Sequence, residues 1–267
     1  MILSFQQKDL KKLKFYIAVL ILPTLLHQWA YSQSFQDCLL QTTQKHIGKP
    51  YLINSLETNQ VESLVVIEDG FDCVTFVEYT AATCLKTTIW PTLSFDSILT
   101  KLRYRNGRID GYGSRIHYFS EWLLQAEKMG LGSNISKSLG GKSRSKEINF
   151  MSRNANYYPL MADKMVSDMI INTEKQLSSV SFDYIPSHKI LDMMYRLKTG
   201  DLVAFTSRKN GLDIHHVGWI ILINDQPHIL HASQSGKVVE VSNKNIYNFV
   251  KSSLQTDGIM VFRFKSR

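Results

Sequence analysis

Five strand-like segments follow one another over the last third of the chain, and they constrain the fold more than any other feature. The segments are Asp201–Thr206, Val217–Ile223, His228–Ala232, Lys237–Val241 and Gly258–Phe264. The turn-forming run Asn224-Asp225-Gln226-Pro227 joins the second segment to the third. Strands joined by such short links pair in the antiparallel sense, so we expect an antiparallel sheet.

Helical patterns occupy the region before this sheet. Apolar residues recur at helical spacing over residues 34–46, 73–86, 116–129 and 157–168. The glycine- and serine-rich stretch 130–146 is expected to be a loop. Helices followed by a run of antiparallel strands indicate an α+β fold in which the helices pack on one sheet.

The N-terminus has the pattern of an export signal. Four lysines between residues 8 and 14 precede an apolar run of about 12 residues, which is too short to span a bilayer comfortably. The segment Ala30-Tyr31-Ser32 offers small residues at the two positions that a signal peptidase reads. We therefore expect residues 1–32 to be a signal peptide that is cleaved before Gln33. An uncleaved membrane anchor or a buried helix is the alternative.

The charge distribution of the chain does not indicate a nucleic-acid partner. The formal net charge is +8, and the first 32 residues contribute four lysines against one aspartate. The other basic residues are scattered, and no lysine- or arginine-rich run is interleaved with aromatic residues. A modest positive charge would also suit an anionic polymer.

The chain has three cysteines, which excludes a disulfide-built scaffold and leaves at least one thiol free or paired with another chain. Asp72 and Thr75 suit a helix start, so Cys73 is expected in the first turn of a helix. Backbone N–H groups and the helix dipole there favour a thiolate and can stabilise an oxyanion. Cys84 lies about 16 Å further along the same helix, too far to pair with Cys73. Cys73 could instead be a small buried apolar residue, and a Cys38–Cys84 pair stays open.

A thiol nucleophile needs a base, and three histidines are candidates for this part of the site. His215 and His216 are adjacent at the entrance to a strand. Neighbouring strand residues point to opposite faces, so we expect only one of them to face the thiol. His231 lies on the next strand and is the candidate to orient the base.

The register of this hairpin decides whether the base and its partner meet. If Ile223 pairs with His228, the two imidazoles are displaced by about 13 Å along the strands. If Gln226 pairs with Ile221, they lie opposite each other. A β-bulge at Gly218 would change either arrangement. The sequence leaves these alternatives open.

A zinc site is the competing interpretation of four histidines within residues 215–231. Structural zinc prefers closely spaced Cys/His pairs at fixed offsets, and the sequence has no second cluster of this kind. The helical His-Glu-x-x-His pattern is also absent. We therefore expect no metal and no other cofactor.

Taken together, these residues resemble the N-acetylmuramoyl-L-alanine amidase-like family within the NlpC-type papain-like cysteine peptidases. The matching segments, in chain order, are Gly48-Lys49-Pro50-Tyr51, Phe71-Asp72-Cys73, Thr199-Gly200-Asp201-Leu202-Val203, His216-Val217-Gly218 and His231-Ala232-Ser233. The resemblance implies one domain over residues 33–267 with a papain-like (NlpC-type) fold. In that fold N-terminal helices, including the nucleophile helix, pack on a C-terminal antiparallel sheet or partial barrel.

The resemblance also implies roles for individual residues. It makes Cys73 the nucleophile, selects His216 as the base and gives the orienting position to His231. It places Tyr51 and Asp72 beside the substrate near the nucleophile.

The interval between Cys73 and Gly200 is much longer than in compact NlpC domains, which predicts a family-specific insertion over about 95–195. Arginines could hold a carboxylate there, and aromatic rings could stack on a sugar. The alternative for each is a surface charge or a core position, and Trp122 fits the core of a helix. The candidate substrate-binding residues of the insertion are Arg105, Tyr112, Arg115, His117 and Tyr118.

The implied activity is hydrolysis of the amide between N-acetylmuramic acid and L-alanine, in peptidoglycan or in its turnover fragments. We expect a bacterial periplasmic or secreted monomer that acts on peptidoglycan or muropeptides and has no stable membrane anchor after signal cleavage. Three alternatives stay open: an endopeptidase that cuts within the stem peptide, a non-catalytic peptidoglycan-binding module and a thiol acyltransferase.

Overall fold

An antiparallel sheet of eight strands lies at the centre of the structure, a computed structural model that describes residues 34–57 and 61–265. The strands are β1 (Gly132–Asn134), β2 (Lys142–Ser145), β3 (Ser181–Pro186), β4 (Leu202–Ser207), β5 (Ile214–Ile223), β6 (Gln226–Ser233), β7 (Val238–Asn245) and β8 (Thr256–Phe264). Their order is β2-β3-β8-β4-β5-β6-β7, and β1 pairs with β8. The predicted C-terminal strands and their antiparallel pairing are confirmed.

The helices of the described residues agree with three of the four predicted segments. They are α1 (Phe35–Gln44), α2 (Cys73–Thr88), α3 (Phe95–Arg103), α4 (Phe119–Lys128), α5 (Phe150–Arg153), α6 (Lys164–Ser179), α7 (Ile190–Met193) and α8 (Ile246–Lys251). The predicted helix over 157–168 is wrong, because a short 3₁₀ turn starts at Pro159 and α6 begins only after Asp163. The Asp163 carboxylate caps α6 by accepting a hydrogen bond from the Met165 N–H at 2.7 Å.

The long interval between helix α2 and strand β4 contributes strands to the same sheet. It supplies β1, β2 and β3, and β3 pairs with β8. The stretch 130–146, expected to be a loop, therefore contains two short strands. The boundaries given for a family-specific insertion stay a prediction.

Helices pack on the sheet, as expected, and apolar side chains cover both of its faces. The first core joins the sheet to the longer helices and includes Phe35, Phe76, Val217, Trp219 and Phe264. The second core lies under α7 and α8 and includes Phe205, Ile220, Ile229, Ile246 and Val250. Alternate residues of β5 serve the two cores, as expected for a strand that is buried on both faces.

Helix α2 is tied to its surroundings by three interactions. The Trp219 indole N–H donates to Thr80 Oγ1 at 2.9 Å, which links the helix to β5. A disulfide joins Cys38 of α1 to Cys84 of α2, with their Cα atoms 5.5 Å apart. Arg103 Nε, at the end of α3, donates to Glu78 Oε2 at 2.7 Å, and both side chains are buried. The disulfide settles the pairing that the sequence left open.

Residues 1–33 lie outside the described part of the chain, so the signal peptide and its cleavage before Gln33 stay predictions. Over residues 34–57 and 61–265, no helix combines the length and the apolar character needed to cross a membrane.

Replacing Glu78 with alanine is expected to destabilise the protein by about 3–5 kcal/mol, because the change leaves the Arg103 guanidinium buried and unpaired. The free energy of unfolding can be measured by urea denaturation. Asp168→Ala is the matched control, because it breaks an exposed ion pair with Lys164 and should leave the unfolding midpoint nearly unchanged. Equal effects of the two substitutions would contradict a stabilising role for the buried pair.

Candidate active site

The start of helix α2 is fixed at Cys73 by a capping box. The Asp72 carboxylate accepts hydrogen bonds from the N–H groups of Val74 at 2.9 Å and Thr75 at 2.8 Å. The Thr75 hydroxyl oxygen in turn accepts from the Asp72 N–H at 2.9 Å. The Ser55 hydroxyl donates to the second carboxylate oxygen of Asp72 at 3.1 Å. Cys73 is therefore the first helical residue, as the sequence predicted.

Cys73 carries the free thiol of the chain, since the other two cysteines form the disulfide. Burial raises the pKa of the Cys73 thiol to about 12, and the nearby Asp72 carboxylate adds to this. Backbone N–H groups of Val217, Cys73 and Val74 oppose the shift by hydrogen bonding. Burial outweighs these donors, so the thiol is protonated at neutral pH.

The β5–β6 hairpin brings His216 and His231 into contact. Asn224 and Asp225 both have positive φ, 48° and 59°, and form a two-residue turn in which Ile223 pairs with Gln226. His216 Nε2 and His231 Nδ1 are 2.7 Å apart, and the rings meet edge to face.

Both registers considered from the sequence were wrong. The Ile223–Gln226 pairing lies between them and places His231 diagonally from His216, two residues along the strand. Diagonal neighbours on one face of a sheet are close enough for imidazole rings to touch.

A β-bulge at His215 interrupts the alternation of side chains between the two faces of the sheet at the start of β5. Phe205 pairs with His216, whereas Thr206 pairs with Ile214, so His215 is the extra residue. The rings of both histidines consequently lie near Phe205, at centroid distances of 6.4 and 5.6 Å. The expectation that they point to opposite faces was wrong because of this bulge.

The two histidines at the bulge have different hydrogen-bond partners. His215 Nε2 is 2.8 Å from Thr256 Oγ1, whereas His216 contacts His231. The sequence allowed a bulge at Gly218, but this glycine instead lies where strand β6 packs closely against the backbone of β5. A Cβ there would lie 2.8 Å from Ile229 and from the Leu230 carbonyl oxygen.

Both members of the histidine pair are neutral near pH 7. Burial lowers the pKa of His216 well below its usual value, and the neighbouring His231 and His215 contribute further. Burial lowers the pKa of His231 to about 4, partly offset by the Glu240 carboxylate. A neutral His216 that donates from Nε2 to His231 keeps a lone pair on Nδ1, and it can then act as a base.

Cys73 and His216 border one cavity of about 90 Å³ at the start of β5. The other residues that line it are Val74, Ile116, His117, Phe119, Trp122, Ile214, His215 and Val217. Among the described residues, no hydrogen bond joins Cys73 Sγ to His216. Proton transfer between them requires a closer approach, and catalytic hydrogen bonds often tighten only in the substrate complex.

Two of the predicted substrate-binding residues lie close to the thiol. Tyr51 pairs through its backbone with Phe71, two residues before Cys73, and burial raises the pKa of its hydroxyl. His117 lines the cavity, and its Nε2 is 3.0 Å from the Tyr112 carbonyl oxygen. Burial lowers the pKa of His117 to about 3, which keeps it neutral.

The two predicted arginines are bound to protein partners. Arg105 donates to both carboxylate oxygens of Glu121 and to the Gly113 carbonyl. Arg115 is buried, and it pairs with Glu57 and donates to the Leu56 carbonyl. A substrate carboxylate would have to displace these partners, and its capture by either arginine stays a prediction.

Tyr112 and Tyr118 are both buried. The Tyr112 ring packs on His117 with centroids 4.5 Å apart, so it supports the wall of the cavity. The Tyr118 hydroxyl donates to Glu174 at 2.6 Å and accepts from the Met151 N–H at 2.9 Å. Tyr118 thus joins three segments that lie between residues 118 and 174, and sugar stacking by either tyrosine ring stays a prediction.

Sequence reasoning missed a polar groove on the other side of His216. It encloses about 760 Å³, and its walls include His215, His216 and His231 together with residues of 233–235, 240–244 and 249–255. The available signal was the repeated Ser, Asn and Gln in these segments. The described residues contain no group of three or more His, Cys, Asp or Glu placed to hold a metal ion.

The alkylation rate of Cys73 by iodoacetamide is expected to rise by about tenfold per pH unit between pH 6 and 9, without a plateau. The raised pKa leaves only a small thiolate fraction, and this fraction grows as pH rises toward the pKa of the thiol. Mass spectrometry can follow the modification, with Cys73→Ala as the control for labelling elsewhere. A rate that is independent of pH would instead indicate a preformed thiolate–imidazolium pair.

A family model and several solved structures match most of the chain, and most of them point to the same family. The family model of the N-acetylmuramoyl-L-alanine amidase-like proteins matches residues 41–259. A crystal structure of an N-acetylmuramoyl-L-alanine amidase from Bacteroides uniformis is 31% identical, with a TM-score of 0.81 over 86% of this chain and 99% of that chain. A Bacteroides fragilis protein named a "putative xylanase" is 32% identical, with a TM-score of 0.78 over 84% of this chain and 100% of that chain.

A Legionella pneumophila protein shares the fold at 20% identity, with a TM-score of 0.69 over 88% of this chain and 90% of that chain. None of the curated proteins matches the chain. The family match spans well over half of the chain and includes Cys73, His216 and His231. The chain therefore belongs to the N-acetylmuramoyl-L-alanine amidase-like family.

Proposed function

We propose that the protein is an exported cysteine amidase that hydrolyses the N-acetylmuramoyl-L-alanine bond of peptidoglycan or of its turnover fragments. One observation carries the proposal: the free thiol of Cys73, at a helix start, borders the same cavity as the hydrogen-bonded pair of His216 and His231. A nucleophile, a base and a residue that orients the base are the parts that thiol catalysis needs. The relatives named as amidases supply the choice of bond.

The proposed reaction is acyl transfer in two steps. His216 Nδ1 takes the Cys73 proton, and the thiolate adds to the amide carbonyl carbon. The Cys73 N–H, which the Asp72 cap does not use, stabilises the oxyanion. The C–N bond then breaks, His216 protonates the leaving amine, and a thioester remains on Cys73. Water, deprotonated by His216, hydrolyses the thioester to a carboxylic acid and restores the thiol.

A glycosidase activity, suggested by the name of one relative, has less support. Most glycosidases use a pair of carboxyl groups that flank the scissile bond. The described residues that line the Cys73 cavity include neither Asp nor Glu, and the nearby Asp72 carboxylate is bound to the N–H groups of Val74 and Thr75. The site chemistry therefore favours acyl transfer.

The proposal includes a papain-like (NlpC-type) assignment and a monomeric protein in the periplasm or outside the cell. The Cys38–Cys84 disulfide supports the location, because disulfides persist in oxidising compartments. The signal pattern in the sequence agrees with it.

Digestion of purified muropeptides is expected to release the intact stem peptide from the sugar with the wild type and not with Cys73→Ala, because alanine cannot form the thioester. Mass spectrometry of the products identifies the bond that is cut. A thermal melt of the variant is the folding control, since Cys73 lies at the helix start and is only partly buried.

The products separate the alternatives. A stem peptide cut internally would identify an endopeptidase, and transfer of the acyl group to an added amine would identify an acyltransferase. Binding without any product would leave a peptidoglycan-binding module and would contradict the amidase.

The three histidines are expected to differ in their effect on kcat. His216→Ala removes the base and should lower kcat on the order of 10³-fold, and His231→Ala removes its orienting partner and should lower it on the order of 10²-fold. His215→Ala should cost less, on the order of tenfold at most, because His215 is bound to Thr256. A larger loss with His215→Ala than with His216→Ala would show that the base was wrongly assigned.

A further inference from the structure

The groove of about 760 Å³ beside the histidine pair is far larger than the cavity at Cys73, and the two adjoin. The walls of both include His215 and His216. His216 therefore stands between the thiol and the groove.

The chemistry of acyl transfer decides which part of a substrate can occupy each side. The acyl part stays bonded to Cys73 after the first step. The leaving nitrogen must receive its proton from His216, so the leaving group extends from the imidazole. For a muramoyl–alanine amide, the acyl part is the sugar and the leaving group is the peptide that begins with L-alanine.

His231, which lines the groove, has one ring nitrogen that no described residue binds. His231 Nε2 is buried and has no hydrogen-bond partner among the described residues. When His216 donates to His231 Nδ1, His231 carries its proton on Nε2, which is then a donor. An occupant that supplies an acceptor oxygen, such as a peptide carbonyl, would satisfy it.

The remaining walls of the groove are mostly polar, and they include one carboxylate, Glu240, on the strand beside His231. They are rich in hydroxyl and amide groups, at Ser233, Gln234, Ser235, Ser242, Asn243 and Gln255. Lys244 Nζ donates only to the Ser252 hydroxyl, at 3.0 Å, and no carboxylate in the described part of the chain pairs with it. Lys244 is exposed, so its ammonium is available to a ligand carboxylate.

We propose that this groove is the leaving-group subsite, that it binds the stem peptide, and that Lys244 pairs with a carboxylate of that peptide. The proposal rests on the proposed amidase function. The stem peptide provides main-chain carbonyls for the groove and, where its second residue is not amidated, a free α-carboxylate for Lys244. The glycan then lies on the thiol side.

Two muropeptides that differ only at the second stem residue, one with a free α-carboxylate and one with the amide, test this assignment. Lys244→Met is expected to raise KM on the order of tenfold for the free carboxylate, with kcat unchanged, and to have little effect with the amide. Lys175→Met is the matched control, because Lys175 is exposed on α6 and does not line the groove. An effect of Lys244→Met that is the same for both muropeptides would overturn the assignment.

Binding to the Cys73→Ala protein separates this inference from the proposed function. Free stem peptide should bind by calorimetry, and more weakly by about tenfold when Lys244→Met is added. Binding of the free disaccharide that is weakened by Lys244→Met would assign the groove to the glycan and overturn the proposal. If the wild type cleaves muropeptides but the peptide does not bind, the subsite alone fails. If no muropeptide is cleaved, the amidase itself fails.

Discussion

The Asp72 carboxylate is the constraint on which the site depends. By accepting from the Val74 and Thr75 N–H groups, it makes Cys73 the first residue of α2. The position of the thiol then follows from the position of the helix, which the Trp219–Thr80 hydrogen bond sets against β5. A shift of the helix start by one residue would turn the thiol by about 100° around the helix axis and away from His216. Burial raises the pKa of the Cys73 thiol and the same carboxylate raises it further, so the cap that places the thiol also helps to keep it protonated.

The parts of the fold that rest on local chemistry could be predicted from the sequence. The start of α2 follows from Asp72 and Thr75, and the C-terminal strands follow from their apolar runs and turn residues. Residues 157–168 were misjudged because their apolar spacing was read without the break at Pro159 and the cap at Asp163. The strands β1 to β3 were missed because they pair with distant partners, and β1 and β2 are also only three and four residues long. Helices α7 and α8 cover the second face of the sheet. This packing is likewise a tertiary property, and helices this short show little periodic pattern in their sequence.

The histidine pair shows how far a site can be predicted before its register is known. The motif order selected His216 and His231, and their contact at 2.7 Å agrees with an orienting role. The register depended on φ values at Asn224 and Asp225 that favour the tightest turn, and the sequence allowed longer turns as well. For the two arginines, the sequence could not show which partners they have in the fold. Their guanidinium groups suited a substrate carboxylate, but the fold provides carboxylates of its own at Glu121 and Glu57.

The bulge at His215 has a consequence for reading strands in related sequences. Ile214 and Val217 both belong to the core under the longer helices, although they are three positions apart. An i, i+3 spacing of apolar residues is ordinarily taken as helical, and here it marks a strand that gains one residue. Loss of that residue would leave the pairing on either side intact and would restore strict alternation through β5. A single-residue gap at this position in an alignment would therefore indicate loss of the bulge rather than loss of His216.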